Sequence, residues 1–192
     1  MRTTRRWRGE LDIPLNKDGW EQAHDLGERI RAAGGVDICL HDWLSRCSDT
    51  ARQIGFRRVS RGPRPWRMGP EFEGKEITEA SLRCAQHLVE HPHYVPDGGE
   101  SFGAWYDSWI RWMEWAESLT LNKLIVGVVT HNRNVQALYS TINGKFDAKR
   151  YNVVGPDYCS VHSYSGGEIR PWKPDRPWGV MVIRHGETDF GT

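Results

Sequence analysis

The segment that most constrains the fold is an apolar run at residues 180–183, which continues directly into Arg184, His185, Gly186 and Glu187. Such a run predicts a short strand that is buried on both faces of a sheet. Polar residues placed directly after a buried strand are typical of α/β proteins, whose ligands bind beyond the carboxyl ends of the strands. There Arg184 would bind an anion, Gly186 would let the backbone turn tightly, and His185 could be a nucleophile, a general base or a metal ligand.

A second apolar run, residues 124–130, also ends in a histidine, His131. If the two strands are parallel neighbours, both imidazoles lie at the same edge of the sheet, above one pocket. Arg46 lies on a predicted helix that follows a further strand, so it can reach this edge too. Two histidines with two arginines suit phosphoryl transfer. Arginines bind a phosphate dianion, a neutral imidazole attacks phosphorus, a cationic imidazole stabilises the transition state, and an acid protonates the departing alkoxide.

The remaining pattern alternates strands with helices, which favours an α/β sandwich with a largely parallel sheet. The predicted helices cover residues 20–33, 44–54, 79–91, 101–119 and 134–142, and the predicted strands cover residues 36–40, 124–130, 159–164, 168–172 and 180–183. Residues 57–70 are predicted to be irregular. We expect a single domain over residues 1–192, because the sequence has no repeat, no low-complexity segment and no linker.

Composition and charge argue against several classes of protein. The 192 residues carry a formal net charge of +1, which gives no support to the binding of nucleic acid or of an anionic membrane. An arginine-rich segment at residues 1–8 is predicted to be a solvated loop, with nucleic-acid binding as the weaker alternative. No apolar run is long enough for a membrane span or a signal peptide. The four scattered cysteines favour reduced thiols and a cytoplasmic protein, although an even number is also compatible with disulfides.

One cluster has the spacing of a metal site. His87, His91 and His93, with Cys84 nearby, could bind zinc from one face of a helix. A histidine-rich surface helix is the commoner explanation, because no other feature of the sequence indicates a metal site. We therefore expect neither a metal nor a cofactor.

Together the motifs resemble the histidine phosphatase superfamily, which has the phosphoglycerate mutase-like fold, in a circularly permuted order. Members usually begin with an Arg-His-Gly-Glu-Thr motif, which is found here at residues 184–188. The segment that normally follows it, of the form R-x-x-G-x-x-D-x-P-L-N-x-x-G, is found at residues 6–19. Further matches follow in family order at residues 44–51, 96–101 and 128–131. The resemblance implies a three-layer α/β/α sandwich with a mostly parallel central sheet.

The resemblance also implies roles for individual residues. His185 would be the nucleophile that becomes phosphohistidine, while Arg184, Arg46 and His131 would bind the transferred phosphoryl group. The chain would then be a metal-independent, histidine acid phosphatase-like phosphomonoesterase that acts on a small phosphorylated metabolite. The other pocket residues implied are Gly186, which allows the close turn, and Glu187, which would orient the pocket.

The sequence departs from the family pattern in two places. The family's proton donor normally lies in a segment like E-x-x-x-G-x-W-E-G, and an ungapped alignment puts Trp66 at the position of the acid. A one-residue shortening would make Glu71 the donor, and Glu73 is the next candidate, although both could be surface acids. Asn132 replaces the usual glycine after the second histidine and is expected to narrow or polarise the pocket. Without an acid near the leaving group, turnover would be slow or limited to good leaving groups.

Other functions stay open at this stage. A mutase of the same superfamily is the first alternative, but mutases tend to carry extra segments that enclose the intermediate, and this chain is short for that. A catalytically weak member that binds a phosphorylated ligand is the second. We expect a small phosphorylated substrate, no nucleic acid and no membrane as partners, and a homodimer is one option for the oligomeric state. The permuted order requires the usual family termini to be joined, here through residues 173–178.

Overall fold

The computed structural model describes residues 6–55, 58–151, 155–174 and 179–189, and at residues 58–61 it describes the backbone alone. Three segments named in the sequence analysis therefore lie wholly or partly outside the described residues. They are most of the arginine-rich loop (residues 1–5), the last four residues of the predicted connection (residues 175–178) and the residues after Asp189.

A sheet of six strands forms the centre of the described structure. The strands are Ile38–His41 (β1), Arg58–Arg61 (β2), Ile125–Thr130 (β3), Val161–Ser165 (β6), Glu168–Pro171 (β7) and Gly179–Arg184 (β8), and a separate short ladder joins Thr141–Ile142 (β4) to Lys145–Phe146 (β5). The order across the sheet is β2, β1, β3, β8, β6, β7. The first four strands are parallel, and the hairpin of β6 and β7 continues the sheet in antiparallel fashion.

The described residues include five α-helices, and three of them begin after a polar residue whose side chain caps the first turn. Their bounds are Lys17–Ala32 (α1), Ser45–Ile54 (α2), Glu79–Glu90 (α3), Phe102–Ser118 (α4) and Asn132–Tyr139 (α5). The Asn16 side chain accepts a hydrogen bond from the backbone N–H of Gly19, and the Ser101 hydroxyl accepts one from that of Ala104. Such caps satisfy N–H groups that have no partner inside the helix. No helix in the described part of the chain has both the length and the apolar character needed to span a bilayer.

The central strands separate two hydrophobic cores, because successive side chains of a strand point to opposite faces of the sheet. In β8, Val182 packs into a core that contains Phe102 and Trp109 of α4. Its neighbour Ile183 packs into the other core, together with Leu26 of α1 and residues of α2. The result is a mixed α/β fold with a central sheet flanked by helices, as the sequence predicted.

Two local predictions were wrong. Residues 57–70 were expected to be irregular, but β2 lies within them and pairs in parallel with β1, Ile38 opposite Arg58. Pairing with a neighbour provides its hydrogen bonds, and a short edge strand needs no apolar run. The predicted helix at residues 134–142 begins earlier, at Asn132, and ends at Tyr139 because Thr141–Ile142 forms the β4–β5 ladder instead.

The last described strand lies in the middle of the sheet. β8 pairs with β3 on one side and with β6 on the other. Beyond it, Thr188 forms an isolated bridge with Leu15, and the backbone N–H of Asn16 donates to the carbonyl oxygen of Glu187 at 3.1 Å. The residues that follow β8 are therefore held between the sheet and the start of α1, and they form the centre of the candidate site.

Candidate active site

Three parallel strands bring the candidate residues together. Asp42, His131 and His185 follow β1, β3 and β8, so they lie at the same edge of the sheet. The backbone N–H of His185 donates to the carbonyl oxygen of Thr130 at 3.1 Å, which links the ends of β8 and β3. The ring centroids of His131 and His185 are 5.3 Å apart. The two histidines that the sequence placed at strand ends thus meet in the structure.

The hydrogen bond of the His185 ring fixes its tautomer. Nδ1 lies 2.6 Å from the carbonyl oxygen of Gly186, and because a carbonyl can only accept, Nδ1 carries the proton. Nε2 therefore keeps the lone pair that a nucleophile needs. The side chain is only 4% exposed. Burial lowers the pKa of His185 well below its ordinary value, and the charge of Arg46 lowers it further, so the ring is neutral.

The turn after His185 is held by close backbone packing. The backbone N–H of Gly186 donates to Oγ1 of Thr50 at 3.0 Å. A Cβ atom at Gly186 would lie 2.6 Å from the carbonyl oxygen of Gly19, and a Cβ atom at Gly19 would lie 2.1 Å from that of Glu187. Both distances are shorter than real contacts, so each glycine is required for the approach of this turn to α1.

His131 is paired with a buried acid that the sequence analysis did not single out. Its Nε2 lies 2.7 Å from Oδ2 of Asp42, whose exposure is 1%. Burial raises the pKa of Asp42 to about 6. Burial also lowers the pKa of His131 well below its ordinary value, with Arg46 and Arg184 acting in the same direction. When Asp42 is ionised, burial favours a neutral His131 ring, whose Nε2–H donates to the carboxylate.

This protonation state bears on the predicted role of His131. Phosphoryl transfer would use His131 as a cation, but burial in the protein alone favours the neutral ring. A phosphate dianion beside the ring would favour the charged form, because an opposite charge at short range raises the pKa of a histidine.

Arg46 is almost fully buried, and backbone carbonyls orient its guanidinium group. Nη1 donates to the carbonyl oxygen of Leu11 at 2.6 Å and Nη2 to that of Gly9 at 2.8 Å. Its Nε is buried and has no hydrogen-bond partner among the described residues. Each Nη also keeps a second hydrogen, so the group can still donate to an anion in the pocket.

Arg184 and Arg8 both lie near the ring of Tyr158. The Cζ atom of Arg184 lies 3.9 Å from the centroid of the Tyr158 ring, and that of Arg8 lies 5.9 Å from it. Arg184 also donates to the carbonyl oxygen of Pro156, and Arg8 donates to that of Thr188 at 2.6 Å. The predicted phosphate-binding residue Arg184 therefore shares an aromatic neighbour with a second arginine.

A pocket of about 140 Å³ lies above the two histidines. Its described lining contains five arginines, namely Arg6, Arg8, Arg46, Arg133 and Arg184. Its apolar lining includes Trp7, Trp66, Met68, Phe72 and Ile77. Only Arg46 and Arg184 of these five were predicted from the sequence. Arg6 and Arg8 were expected to lie in a solvated loop, and their position in the segment that resembles the family pattern was the signal that could have identified them.

The candidate acids lie in different places. Glu73 lines the pocket, and its Oε1 accepts a hydrogen bond from the backbone N–H of Glu10 at 2.8 Å. Glu71 is exposed, and the described lining does not include it. Trp66, at the aligned position of the family acid, is buried in the pocket wall. Of the two predicted donors, Glu73 is the one placed at the pocket.

The remaining predicted residues, Asn132 and Glu187, surround the histidines. Asn132 lines the pocket, as expected for a residue directly after His131. Glu187 is absent from the described lining and exchanges hydrogen bonds with Gln22 of α1, at 3.0 Å through its backbone N–H and 3.2 Å through its carboxylate. Its observed contacts therefore hold the turn against α1.

The alternative zinc site finds no support. The rings of His87 and His91 are 4.0 Å apart on α3. However, within the parts of the chain that the structure describes, no group of three or more His, Cys, Asp or Glu is placed to hold a metal ion. The four cysteines are free, and Cys84 is the exposed one.

Comparisons with known proteins identify the family and the fold. The family model described as the Histidine phosphatase superfamily (branch 1) matches residues 1–172. No curated protein matches the sequence.

Several solved structures have a similar fold. A candidate alpha-ribazole-5'-P phosphatase from Escherichia coli is 18% identical, with 97% of this chain and 90% of that chain covered and a TM-score of 0.64. The alpha-ribazole phosphatase from Shigella flexneri is 19% identical, with 90% and 89% covered and a TM-score of 0.64. A mycobacterial glucosyl-3-phosphoglycerate phosphatase, solved with inorganic phosphate, is 22% identical, with 88% and 89% covered and a TM-score of 0.59. At these identities the similarity establishes the fold alone.

Proposed function

Because the chain belongs to the histidine phosphatase superfamily, we propose that it is a metal-independent phosphomonoesterase that works through a phosphohistidine at His185. The observation that carries the proposal is the hydrogen bond from Nδ1 of His185 to the carbonyl oxygen of Gly186, which leaves Nε2 as a neutral nucleophile. This ring lies beside His131 in a pocket lined by arginines. Small phosphorylated metabolites are the proposed substrates.

The reaction has two steps. Nε2 of His185 attacks phosphorus, the bond to the ester oxygen breaks, and the departing alkoxide takes a proton. Water then attacks the phosphohistidine, which releases phosphate and regenerates the free imidazole. Arg184, Arg46 and His131 would bind the phosphoryl oxygens, whose charge the guanidinium groups are suited to hold. Glu73, as the carboxylate in the described lining, is the proposed proton donor.

A catalytically weak phosphate-binding protein is the second candidate. Two features of the pocket wall favour it. Trp66 occupies the aligned position of the family's proton donor, and Oε1 of Glu73 already accepts a hydrogen bond from the backbone N–H of Glu10. Such a protein would bind phosphate in the same pocket and release little product. We favour the phosphatase over a mutase because the residues that the structure describes include no long extra segment that could enclose an intermediate.

We also propose that the chain is a circular permutation of the family order. The support is the position of β8, which follows the other strands in sequence yet lies between β3 and β6 in the sheet. Contacts of Thr188 with Leu15 and Arg8 further link the end of the described chain to its beginning. A rearranged gene whose product runs from residue 173 to 192 and then from 1 to 172 tests this. We expect it to fold and to keep the activity of the original, whereas loss of folding would contradict the proposal.

The test of the enzymatic proposal is hydrolysis of para-nitrophenyl phosphate, with EDTA present, by the wild type and by His185→Ala. We expect the wild type to release phosphate and the variant to release none above background. His24→Ala is the matched control, because His24 is exposed on α1. Activity that survives in His185→Ala would contradict the mechanism. Tight phosphate binding without turnover in the wild type would favour the binding protein.

A further inference from the structure

Tyr158 lies in a turn that is hydrogen-bonded to both residues at the end of β8. The backbone N–H of Arg184 donates to the carbonyl oxygen of Ser160 at 3.1 Å. The backbone N–H of Cys159 donates to the carbonyl oxygen of His185 at 3.4 Å. Cys159 has a φ of 54°, a left-handed conformation that few residues other than glycine adopt. The main chain around Tyr158 is therefore held beside the candidate nucleophile and the predicted phosphate-binding arginine.

The ring of Tyr158 lies against the guanidinium group of Arg184. The Cζ atom of Arg184 is 3.9 Å from the ring centroid, well within the distance of about 6 Å at which a guanidinium group and an aromatic face attract each other. Arg8 is 5.9 Å from the same centroid, so its contact with the ring is the weaker one. Nη1 of Arg184 also donates to the carbonyl oxygen of Pro156. An aromatic face and a carbonyl oxygen together fix the position of this guanidinium group.

The charge of Arg184 acts on both histidines of the site. Burial is the main reason why the pKa of His131 and the pKa of His185 lie well below their ordinary value, and the charge of Arg184 lowers both further. Arg184 and the two histidines line the same pocket. The guanidinium group is therefore placed where a phosphoryl group on His185 would meet it.

Tyr158 does not contribute to the described wall of this pocket. The described lining includes Arg184 and His185 but not Tyr158. The ring centroids of Tyr158 and His185 are 6.1 Å apart, whereas the guanidinium group of Arg184 is in direct contact with the tyrosine ring. The ring thus supports Arg184 from outside the pocket, and its effect on a bound ligand would pass through that arginine.

We propose that Tyr158 is a positioning residue, whose ring holds the guanidinium group of Arg184 in the orientation that binds the transferred phosphoryl group. An arginine that is already ordered loses little conformational freedom when it binds an anion. Without the ring, Arg184 would keep its charge, but the ligand would have to order its side chain. This inference rests on the proposed phosphatase function.

The test is a double-mutant cycle between Tyr158 and Arg184. Tyr158→Leu and Tyr158→Met keep an apolar side chain but lose the aromatic face, and Arg184→Met removes the charge. Calorimetry measures the affinity for inorganic phosphate, and steady-state kinetics measure kcat/KM for para-nitrophenyl phosphate.

We expect each Tyr158 variant to lower both the affinity and kcat/KM by about tenfold, the size of one cation–π contact. In the Arg184→Met background the same changes should cost less than about twofold, because two residues that act through one contact are not additive. Tyr158→Phe keeps the aromatic face and should restore the wild-type values. A loss of packing alone would lower both quantities equally in the two backgrounds.

Tyr94→Leu is the matched control, because Tyr94 is 56% exposed, and it should change neither quantity. Equal losses in the two backgrounds, or no loss in either, would overturn the inference and leave the proposed function standing. If the wild type binds phosphate but hydrolyses no phosphomonoester, the proposed function fails, and the binding cycle decides the inference by the same criteria. A wild type that neither binds phosphate nor hydrolyses the ester would overturn both.

Discussion

Asp42 and His131 share a buried hydrogen bond of 2.7 Å between Oδ2 and Nε2. The bond exists because β1 and β3 are parallel neighbours, so the residues that follow them meet at one edge of the sheet. Oδ1 of Asp42 is held in turn by the backbone N–H of Trp43 at 2.6 Å. The carboxylate thus orients the ring of His131 and places its proton on Nε2, which leaves Nδ1 as the other polar atom of the ring.

Replacing this acid tests its role as a positioning residue. In Asp42→Asn the side-chain amide would donate to Nε2, so the proton of His131 would move to Nδ1. We expect kcat for para-nitrophenyl phosphate to fall by at least about tenfold, since a histidine held in the wrong tautomer loses most of its catalytic effect. Steady-state kinetics across pH measures this.

The melting temperature of Asp42→Asn shows whether Asp42 positions His131 or only stabilises the fold. The raised pKa of Asp42 means that its ionised form is costly in the folded protein above pH 6, so the neutral amide should leave the melting temperature at pH 7.5 unchanged or higher. Asp18→Asn, an exposed change on α1, is the control and should alter neither quantity. A parallel loss of stability and activity in Asp42→Asn would contradict the positioning role.

Thr50 links α2 to the turn that carries the nucleophile. Its Oγ1 donates to the carbonyl oxygen of Arg46 at 2.8 Å and accepts from the backbone N–H of Gly186 at 3.0 Å. Thr50→Val keeps the shape but leaves this buried N–H unpaired, so we expect the free energy of unfolding to fall by about 1–3 kcal/mol. Urea denaturation measures this. Thr50→Ser keeps the hydroxyl and should lose less than half as much, whereas equal losses would show that the methyl group matters and the hydrogen bond does not.

Gly19 allows α1 to approach the turn after His185. A methyl group there would lie 2.1 Å from the carbonyl oxygen of Glu187, and backbone atoms at that position cannot rotate away. We expect Gly19→Ala to lower the free energy of unfolding by about 1–3 kcal/mol, as overpacking does, and to lower kcat as well. Glu21→Ala, an exposed change on the same helix, should affect neither. A stable and fully active Gly19→Ala would contradict the close approach.

His162 makes stability depend on pH. The ring lies between the hydroxyls of Tyr139, at 2.8 Å from Nδ1, and Ser160, at 3.0 Å from Nε2. Burial lowers its pKa from the ordinary 6.5 to about 4. Between these values the unfolded chain binds a proton that the folded protein does not, so stability is present above pH 6.5 and is lost as the pH falls toward 4.

We therefore expect His162→Gln to flatten the acid side of the stability curve. The slope between pH 6 and 4.5 should decrease by on the order of 1 kcal/mol per pH unit, which is the effect of one proton. Urea denaturation at several pH values measures it. His131 and His185 act in the same direction as His162, and Asp42, with its raised pKa, acts in the opposite direction. His24→Gln should leave the slope unchanged, and an unchanged slope in His162→Gln would contradict this account.

The positions of His131 and His185 could be predicted from the sequence, because each residue directly follows an apolar strand. The apolar runs before His131 and His185 identified the strands, and their alternation with helices implied that they are parallel neighbours. The capped start of α1 and the helical spacing of α4 could also be predicted from the sequence, since both depend on residues that are close together in the chain.

The rest of the site depends on contacts between distant residues, which no local pattern reveals. Asp42 follows a short strand without a distinctive motif, and its partner His131 is 89 residues away. Arg133 was not identified from the sequence, because the indoles that pack against it come from segments around residues 7 and 66. β2 was missed for the same reason, because its hydrogen bonds come from β1 and its own sequence is polar.

The most direct test of the central claim is to detect the phosphorylated intermediate. The wild type is mixed with para-nitrophenyl phosphate, quenched within milliseconds in alkaline denaturant, which preserves phosphohistidine, and mapped by mass spectrometry. We predict one phosphoryl group on His185, absent from His185→Ala and unaffected by EDTA. Turnover in the wild type with a phosphoryl group on another residue, or with none on His185, would contradict the account.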